Sequence, residues 1–255
     1  MSNEITVKDK TYIVTGASKG IGAATARILL TQGANVVLHW NTTMSEAENL
    51  LKEYGDDRCV AIRANLENRD EVDALWAAGL AWKGKLDGIV NNAAVMLETD
   101  PENGLDEYRK DWDTVMEVNV RAVADLCWHA VDYFKSVGGG SIVNVASRAA
   151  FRGDMPDSVH YAASKGAVVA MTRSIAKGYA ADGIYAYIIA PGWVGTETVM
   201  PRLNDPANAN MIKEIPMQAP CPPEEVGNII AFMLSGAVKN ATGTTFDING
   251  ASYFH

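Results

Sequence analysis

Cysteine is scarce in this chain. Cys59, Cys127 and Cys221 are odd in number and far apart, so a disulfide framework is not expected. No apolar run approaches the roughly eighteen residues of a membrane span. Runs of lysine or arginine are also missing. The 22 basic residues are outnumbered by 31 acidic ones, which leaves a formal net charge of -9. The basic face that nucleic acid requires is therefore lacking, and the acidic balance serves solubility. His39, His129, His160 and His255 are scattered, and neither His-Glu-x-x-His nor Cys-x-x-Cys occurs, so no metal site is expected. Met1-Ser2-Asn3-Glu4 has neither a basic nor an apolar signal region. With unpaired thiols, this gives the expectation of a cytoplasmic protein. No repeat, low-complexity tract or long linker divides the sequence.

What is present suits one large domain: 255 residues, 48% of them apolar. Runs rich in β-branched residues fall near 11–15, 35–39, 58–63, 87–91, 141–145, 184–189 and 244–248. Helical patterns lie between them, near 22–32, 44–54, 69–82, 112–136, 160–181 and 223–234. This alternation predicts an α/β fold, a doubly wound parallel sheet of about seven strands with helices on both faces, spanning 1–255 as a single domain. Crossovers should be right-handed, and ligands should bind beyond the carboxyl ends of the strands.

The first strand runs into Thr15-Gly16-Ala17-Ser18-Lys19-Gly20-Ile21-Gly22, and a helical pattern with Ile21, Ala24, Thr25, Ile28 and Leu29 follows until Gly33. Strand, glycine-rich turn, helix and second strand form the layout of a dinucleotide-binding unit. The glycines permit a tight turn and close approach to a pyrophosphate, for which the helix N-terminus supplies free N–H groups. Further on, Tyr161-Ala162-Ala163-Ser164-Lys165 places a phenol and an ammonium on one helix face. A nearby cation favours the phenolate, so the pair is a candidate proton-transfer device. Read alone, the same spacing also suits an ordinary amphipathic helix.

Together these motifs resemble the short-chain dehydrogenase/reductase family, in its single-domain branch, over nearly the whole chain. Asn91-Asn92-Ala93-Ala94 resembles that family's Asn-Asn-Ala-Gly motif, with Ala94 replacing glycine. Pro191-Gly192-Trp193-Val194-Gly195-Thr196 matches its Pro-Gly-x-x-x-Thr segment. The resemblance implies a catalytic set of Asn119, Ser147, Tyr161 and Lys165. Tyr161 would exchange the proton, with its pKa lowered by Lys165, and Ser147 would hold the substrate oxygen. Asn119 would anchor a water relay.

For the cofactor, the resemblance implies contacts from Gly16, Ser18, Lys19, Gly20, Ile21 and Gly22. Further contacts are implied from His39, Asn41, Asn65, Leu66, Asn92, Ala93 and Ala94. Tyr161, Lys165, Pro191, Gly192, Val194 and Thr196 complete the set. Asn65-Leu66 stands where the family has Asp-Val. No acid closes the second strand, which reads Leu38-His39-Trp40-Asn41-Thr42, and Lys19 adds a cation in the turn. Both features favour NADP(H), with NAD(H) the other possibility.

Ser147, Arg148, Phe151 and Trp193 are the candidate substrate contacts, and Met155, His160, Val194 and Met200 are further pocket walls. Arg148 or Arg152 could meet an acidic substrate group, or simply lie on the surface. The loop from Trp193 to about Pro216 corresponds to the family's substrate lid. The expected activity is hydride transfer between nicotinamide and a carbonyl or secondary alcohol of a small molecule.

The chain is most similar to the 3-oxoacyl-carrier-protein reductase type of member, which is the alternative activity. However, Ser136–Gly140 and Ala181–Gly183 lack the cations that would dock an acidic carrier. A non-catalytic nucleotide-binding regulator is the second alternative. The family also implies a homotetramer built on the helices near 112–136 and 160–181. Leu126, Ala130, Ala167, Ala170 and Met171 either line those contacts or face the sheet.

Overall fold

The computed structural model describes residues 5–255, so Met1–Glu4 lie outside the described residues. The strands are β1 (Thr11–Val14), β2 (Asn35–Trp40), β3 (Cys59–Arg63), β4 (Gly88–Asn91), β5 (Gly140–Val145), β6 (Ile184–Pro191) and β7 (Thr245–Ile248). They form one parallel sheet in the order β3-β2-β1-β4-β5-β6-β7. The order reverses between β1 and β4, and a crevice opens at that point beyond the strand ends. All seven expected strands are present. Pro191, expected just past β6, is its last residue.

Successive strand residues point to opposite faces, and both faces are buried. Tyr12, Val14, Val36 and Leu38 pack with Leu29, Leu30, Val226 and Ile230 on one side. These come from α1 (Gly20–Thr31) and from a helix at Pro223–Leu234, called α10 below. Ile13, Val37, Ile89 and Ile142 pack with Leu75, Trp76, Leu126, Phe134 and Ile175 on the other. Each such side chain contributes about 1.5–3 kcal/mol by leaving water.

Between these, the chain forms α2 (Ser45–Tyr54), α3 (Arg69–Lys83), α4 (Leu105–Met116), α5 (Ala122–Val137), α6 (Ala149–Arg152) and α7 (Val159–Tyr179). Short helices α8 (Met200–Leu203) and α9 (Ala209–Lys213) interrupt the expected loop before α10. The helix expected at 112–136 starts earlier, at Leu105, and is broken by a π-helical turn at Glu117–Arg121 that contains Asn119. Such bulges carry one residue too many for the α repeat and redirect side chains locally, which a periodicity reading cannot anticipate. Leu126 and Ala130 are buried inside the chain itself, so they face the core. Ala170 is exposed, and Ala167 and Met171 are half-buried.

Candidate active site

The turn after β1 is held by its own sequence. Gly16 adopts φ +66°, a region that suits glycine, and a Cβ there would lie 3.1 Å from the Ala93 Cα. At Gly22 a Cβ would fall 2.2 Å from the Gly16 carbonyl oxygen, so only glycine lets α1 close on the turn. Across the crevice, Thr15 Oγ1 accepts from the N–H groups of Asn92 (2.9 Å) and Ala93 (3.0 Å). Asn92 Nδ2 donates to the Thr15 carbonyl at 2.9 Å. Two segments far apart in sequence are thereby stapled at the switch point.

The resulting cleft is lined by Gly16, Ser18, Lys19 and Gly20 and by His39, Asn41, Asn65 and Leu66. Asn92, Ala93, Ala94 and Thr196 are the other expected residues that line it. Thr42, Thr43, Glu67 and Thr198 also line it, beyond the contacts that the resemblance implies. Ile21, Tyr161, Lys165, Pro191, Gly192 and Val194 line an adjoining inner cavity. Gly22 lines neither and acts through packing. His39 is buried and both ring nitrogens are engaged: Nδ1 accepts from Gly16 N–H at 3.0 Å, so Nε2 donates to the Ala64 carbonyl at 3.0 Å. Burial lowers its pKa, consistent with a neutral ring that supports the turn and offers a ligand only its surface.

The inner cavity has a volume of about 220 Å³ and brings together Ser147, Arg148, Arg152, Asp154, Tyr161, Lys165 and Trp193. It shares Asn92, Ala94, Met96 and Thr196 with the outer cleft, so the two form one continuous groove. Burial pushes the Tyr161 phenol up to about 12, opposed by a hydrogen bond with Ser147, while the Asp154 carboxylate raises it further. The expected lowering by Lys165 is not what the protein groups produce. Lys165 Nζ lies 5.7 Å from the Tyr161 ring centre and donates to the Val145 carbonyl at 2.8 Å. Burial brings the Lys165 ammonium down to about 8, since no carboxylate compensates it.

Asn119 lies behind these groups and does not line the cavity. Its Oδ1 accepts from Val95 N–H (2.8 Å), and its Nδ2 donates to the Val95 carbonyl (2.9 Å) and to Ser164 Oγ (3.1 Å). Ser164 Oγ in turn donates to the Tyr161 carbonyl at 2.7 Å. The π turn thus aims an amide that clamps the segment after β4 against α7.

Several expected walls are elsewhere. Phe151 stacks on the His255 ring, with centres 4.0 Å apart, and does not line the cavity. Apolar residues near a catalytic serine also pack against chain termini, and the sequence does not distinguish the two. Met155 is exposed, Met200 is replaced at the wall by Val199, and His160 is buried beside Thr99, Tyr108 and Trp112.

This arrangement can bind a dinucleotide along the crevice and place its reactive end against a proton donor and an oxygen-holding hydroxyl. A family model described as enoyl-(acyl carrier protein) reductase matches residues 16–251. The chain belongs to the short-chain dehydrogenase/reductase family. The chain is 31% identical over 248 residues to a 3-oxoacyl-[acyl-carrier-protein] reductase of Staphylococcus aureus, covering 96% of this chain and 98% of that one. It is 34% identical over 244 residues to a cis-4-hydroxycyclohexanecarboxylate dehydrogenase of Sinomonas cyclohexanicum, covering 95% and 96%. A structure from Beutenbergia cavernae, provisionally described as an NAD(P)-dependent gluconate 5-dehydrogenase with bound NADP, superposes with a TM-score of 0.88 at 28% identity, covering 98% of each chain. This short-chain dehydrogenase/reductase is accordingly an NAD(P)(H)-dependent oxidoreductase acting on a carbonyl or secondary alcohol. No helix of the described residues is long and apolar enough to cross a membrane.

Proposed function

We propose that this enzyme interconverts a small ketone and secondary alcohol, with Tyr161 as proton donor or base and NADP(H) preferred. The observation that carries the reading is the groove itself: Ser147, Tyr161 and Lys165 share one cavity, which opens into the cleft over the glycine turn. The nicotinamide supplies or accepts the hydride. The oxygen of the substrate gains negative charge during reduction, and Tyr161 Oη delivers the proton to it. Ser147 Oγ, which lines the same cavity as the phenol, holds that oxygen. Lys165 brings positive charge near the phenol, and Asn119 keeps the Tyr161 turn of α7 in register.

A cleft wall with Lys19, Asn41, Thr42 and Thr43, and without an acid at the end of β2, favours a ribose 2′-phosphate. Residues 193–216 act as a lid. Free substrates are favoured over carrier-bound ones because Ser136–Gly140 and Ala181–Gly183 offer an acidic carrier no cation. The 3-oxoacyl-carrier-protein reductase reading draws its support from the Staphylococcus relative. A silent regulator is disfavoured because all four catalytic positions are filled.

Trp128 on α5 is 71% exposed and Val159 at the start of α7 is 44% exposed, which favours an assembly through these helices, a homotetramer by family expectation. The thiol content favours a cytoplasmic location. The test is nicotinamide absorbance with NADPH and NADH against a panel of ketones, alcohols and carrier-bound ketoacyl groups. Turnover of the free compounds, faster with NADPH, is expected. Turnover of carrier-bound groups alone would replace the reading by its alternative.

A further inference from the structure

The residue after Ser147 is Arg148, an arginine that is only 4% exposed and lines the inner cavity. Burying a guanidinium is costly unless it is matched by charge and hydrogen bonds. Its match here is incomplete. Nη1 donates to Ser252 Oγ at 2.6 Å, a neutral partner from the C-terminal segment. Nη2 lies 3.5 Å from Glu214 Oε2, and Arg152 Nη1 approaches that same oxygen at 3.4 Å.

Two adjacent cations therefore share one carboxylate, whose side chain is half exposed. Asp154 also lines the cavity but forms no ion pair with either arginine among the described residues. Its Oδ1 accepts from Met155 N–H at 3.0 Å. Desolvation and the neighbouring Arg152 charge both lower the Arg148 pKa, in keeping with a cation that lacks sufficient counter-charge. The centre of the Trp193 ring lies 5.7 Å from the Arg148 guanidinium carbon.

Glu214 directly follows α9, in the lid segment, and is brought to the arginines from 62 residues beyond Arg152. From this geometry we infer that Arg148 and Arg152 form a carboxylate subsite, and that the substrate is a hydroxy acid or keto acid whose carboxylate displaces Glu214. The inference rests on the oxidoreductase reading and narrows its substrate class. A planar guanidinium pair suits a carboxylate by paired N–H donors.

Arg148 neighbours Ser147, so the anion lies within one side chain's reach of the reacting carbon. That distance suits a compact acid and is too short for the phosphate at the far end of a pantetheine arm. Displacement of Glu214 also gives the lid a reason to move when the acid enters, because its carboxylate and the ligand's compete for the same donors.

The test compares 3-hydroxybutyrate, 4-hydroxypentanoate and 5-hydroxyhexanoate with their methyl esters, by kcat/KM in wild type, Arg148→Lys, Arg152→Met and Glu214→Gln. In parallel, hexanoate binding to the wild type is followed by tryptophan fluorescence. The wild type should prefer at least one acid over its ester by roughly 30-fold or more, as a charge-assisted pair requires. Arg152→Met should reduce that ratio about tenfold, and Glu214→Gln should tighten hexanoate by several-fold. Arg148→Lys, which keeps the charge and the fold but loses the fork, should lower the ratio while the ester's KM shifts less than the acid's.

Equal turnover of acids and esters, or an acid preference as large in Arg152→Met as in wild type, would overturn the subsite. Hexanoate binding that tightens in Glu214→Gln, without turnover of any compound, would uphold the subsite and count against the oxidoreductase reading instead.

Discussion

On the β1–β3 side of the groove, the groups facing the ligand are mostly backbone and small or neutral side chains: the Gly16–Gly20 turn, Asn41, Thr42, Asn65 and Asn92. On the β5–β6 side they are ionisable: Tyr161, half-buried, and Lys165 and Arg148, buried. The first wall is internally satisfied, with His39, Thr15 and Asn92 each bonded to the backbone of a neighbouring segment. The second holds a lysine brought down to about 8 and a phenol pushed up to about 12. A rigid, satisfied wall suits a large cofactor bound by shape and dipoles. A wall of under-compensated charge suits chemistry, where protons move and substrate charge is recognised.

The largest expected effect breaks the reactive wall alone. Tyr161→Phe should lower kcat by about a thousandfold or more, since it removes the acid–base group while keeping the ring. Cofactor affinity, read by fluorescence titration, should change little. A kcat within tenfold of wild type would move the proton-transfer role elsewhere.

Gly22→Ala breaks the satisfied wall. A Cβ 2.2 Å from the Gly16 oxygen and 2.6 Å from Asn92 Nδ2 forces backbone to shift. Unfolding free energy should fall by about 3 kcal/mol in urea melts. NADPH binding should weaken together with stability. A variant as stable as wild type would show that the turn has slack.

Lys165→Met sharpens the contrast through pH. The folded pKa of about 8 lies below the ordinary 10.5, so between those values the unfolded chain holds more protons than the folded one. The cost of burying this cation is therefore complete below pH 8 and fades as pH rises toward 10.5. The variant should lose activity yet gain about 1–2 kcal/mol of stability at pH 7, after allowing for the Val145 carbonyl's lost partner. The gain should shrink as pH approaches 10.5. A stability gain that does not vary with pH would count against this account.

The smallest effect is on the satisfied wall's one cation. Lys19 is exposed, so Lys19→Ala should reduce the NADPH-over-NADH preference by only about fivefold, measured as a ratio of kcat/KM values. An unchanged ratio would assign cofactor choice to Asn41, Thr42 and Thr43.

The difference between the walls also explains what could be read from the chain. The glycine turn of the cofactor side is local: strand, turn and helix follow one another within 11–31. Tyr161 and Lys165 are one helical turn apart and equally legible. The substrate side joins residues 148, 152, 193, 214 and 252, which no period connects. Phe151 shows the consequence: four residues after Ser147 in sequence, it turns away to stack on His255. The direction of the Asn119 side chain likewise depends on long-range structure, because it is set by the π turn at Glu117–Arg121.

The amino-acid order by itself determined the α/β alternation, the glycine turn and the one-turn spacing of Tyr161 and Lys165, because these depend on contacts within a few residues and on strand-end placement. Tertiary structure alone decided which arginine is buried, which carboxylate answers it and which way each buried amide points. Those outcomes are set by long-range packing at the carboxyl edge of the sheet, where desolvation makes every unmatched charge count.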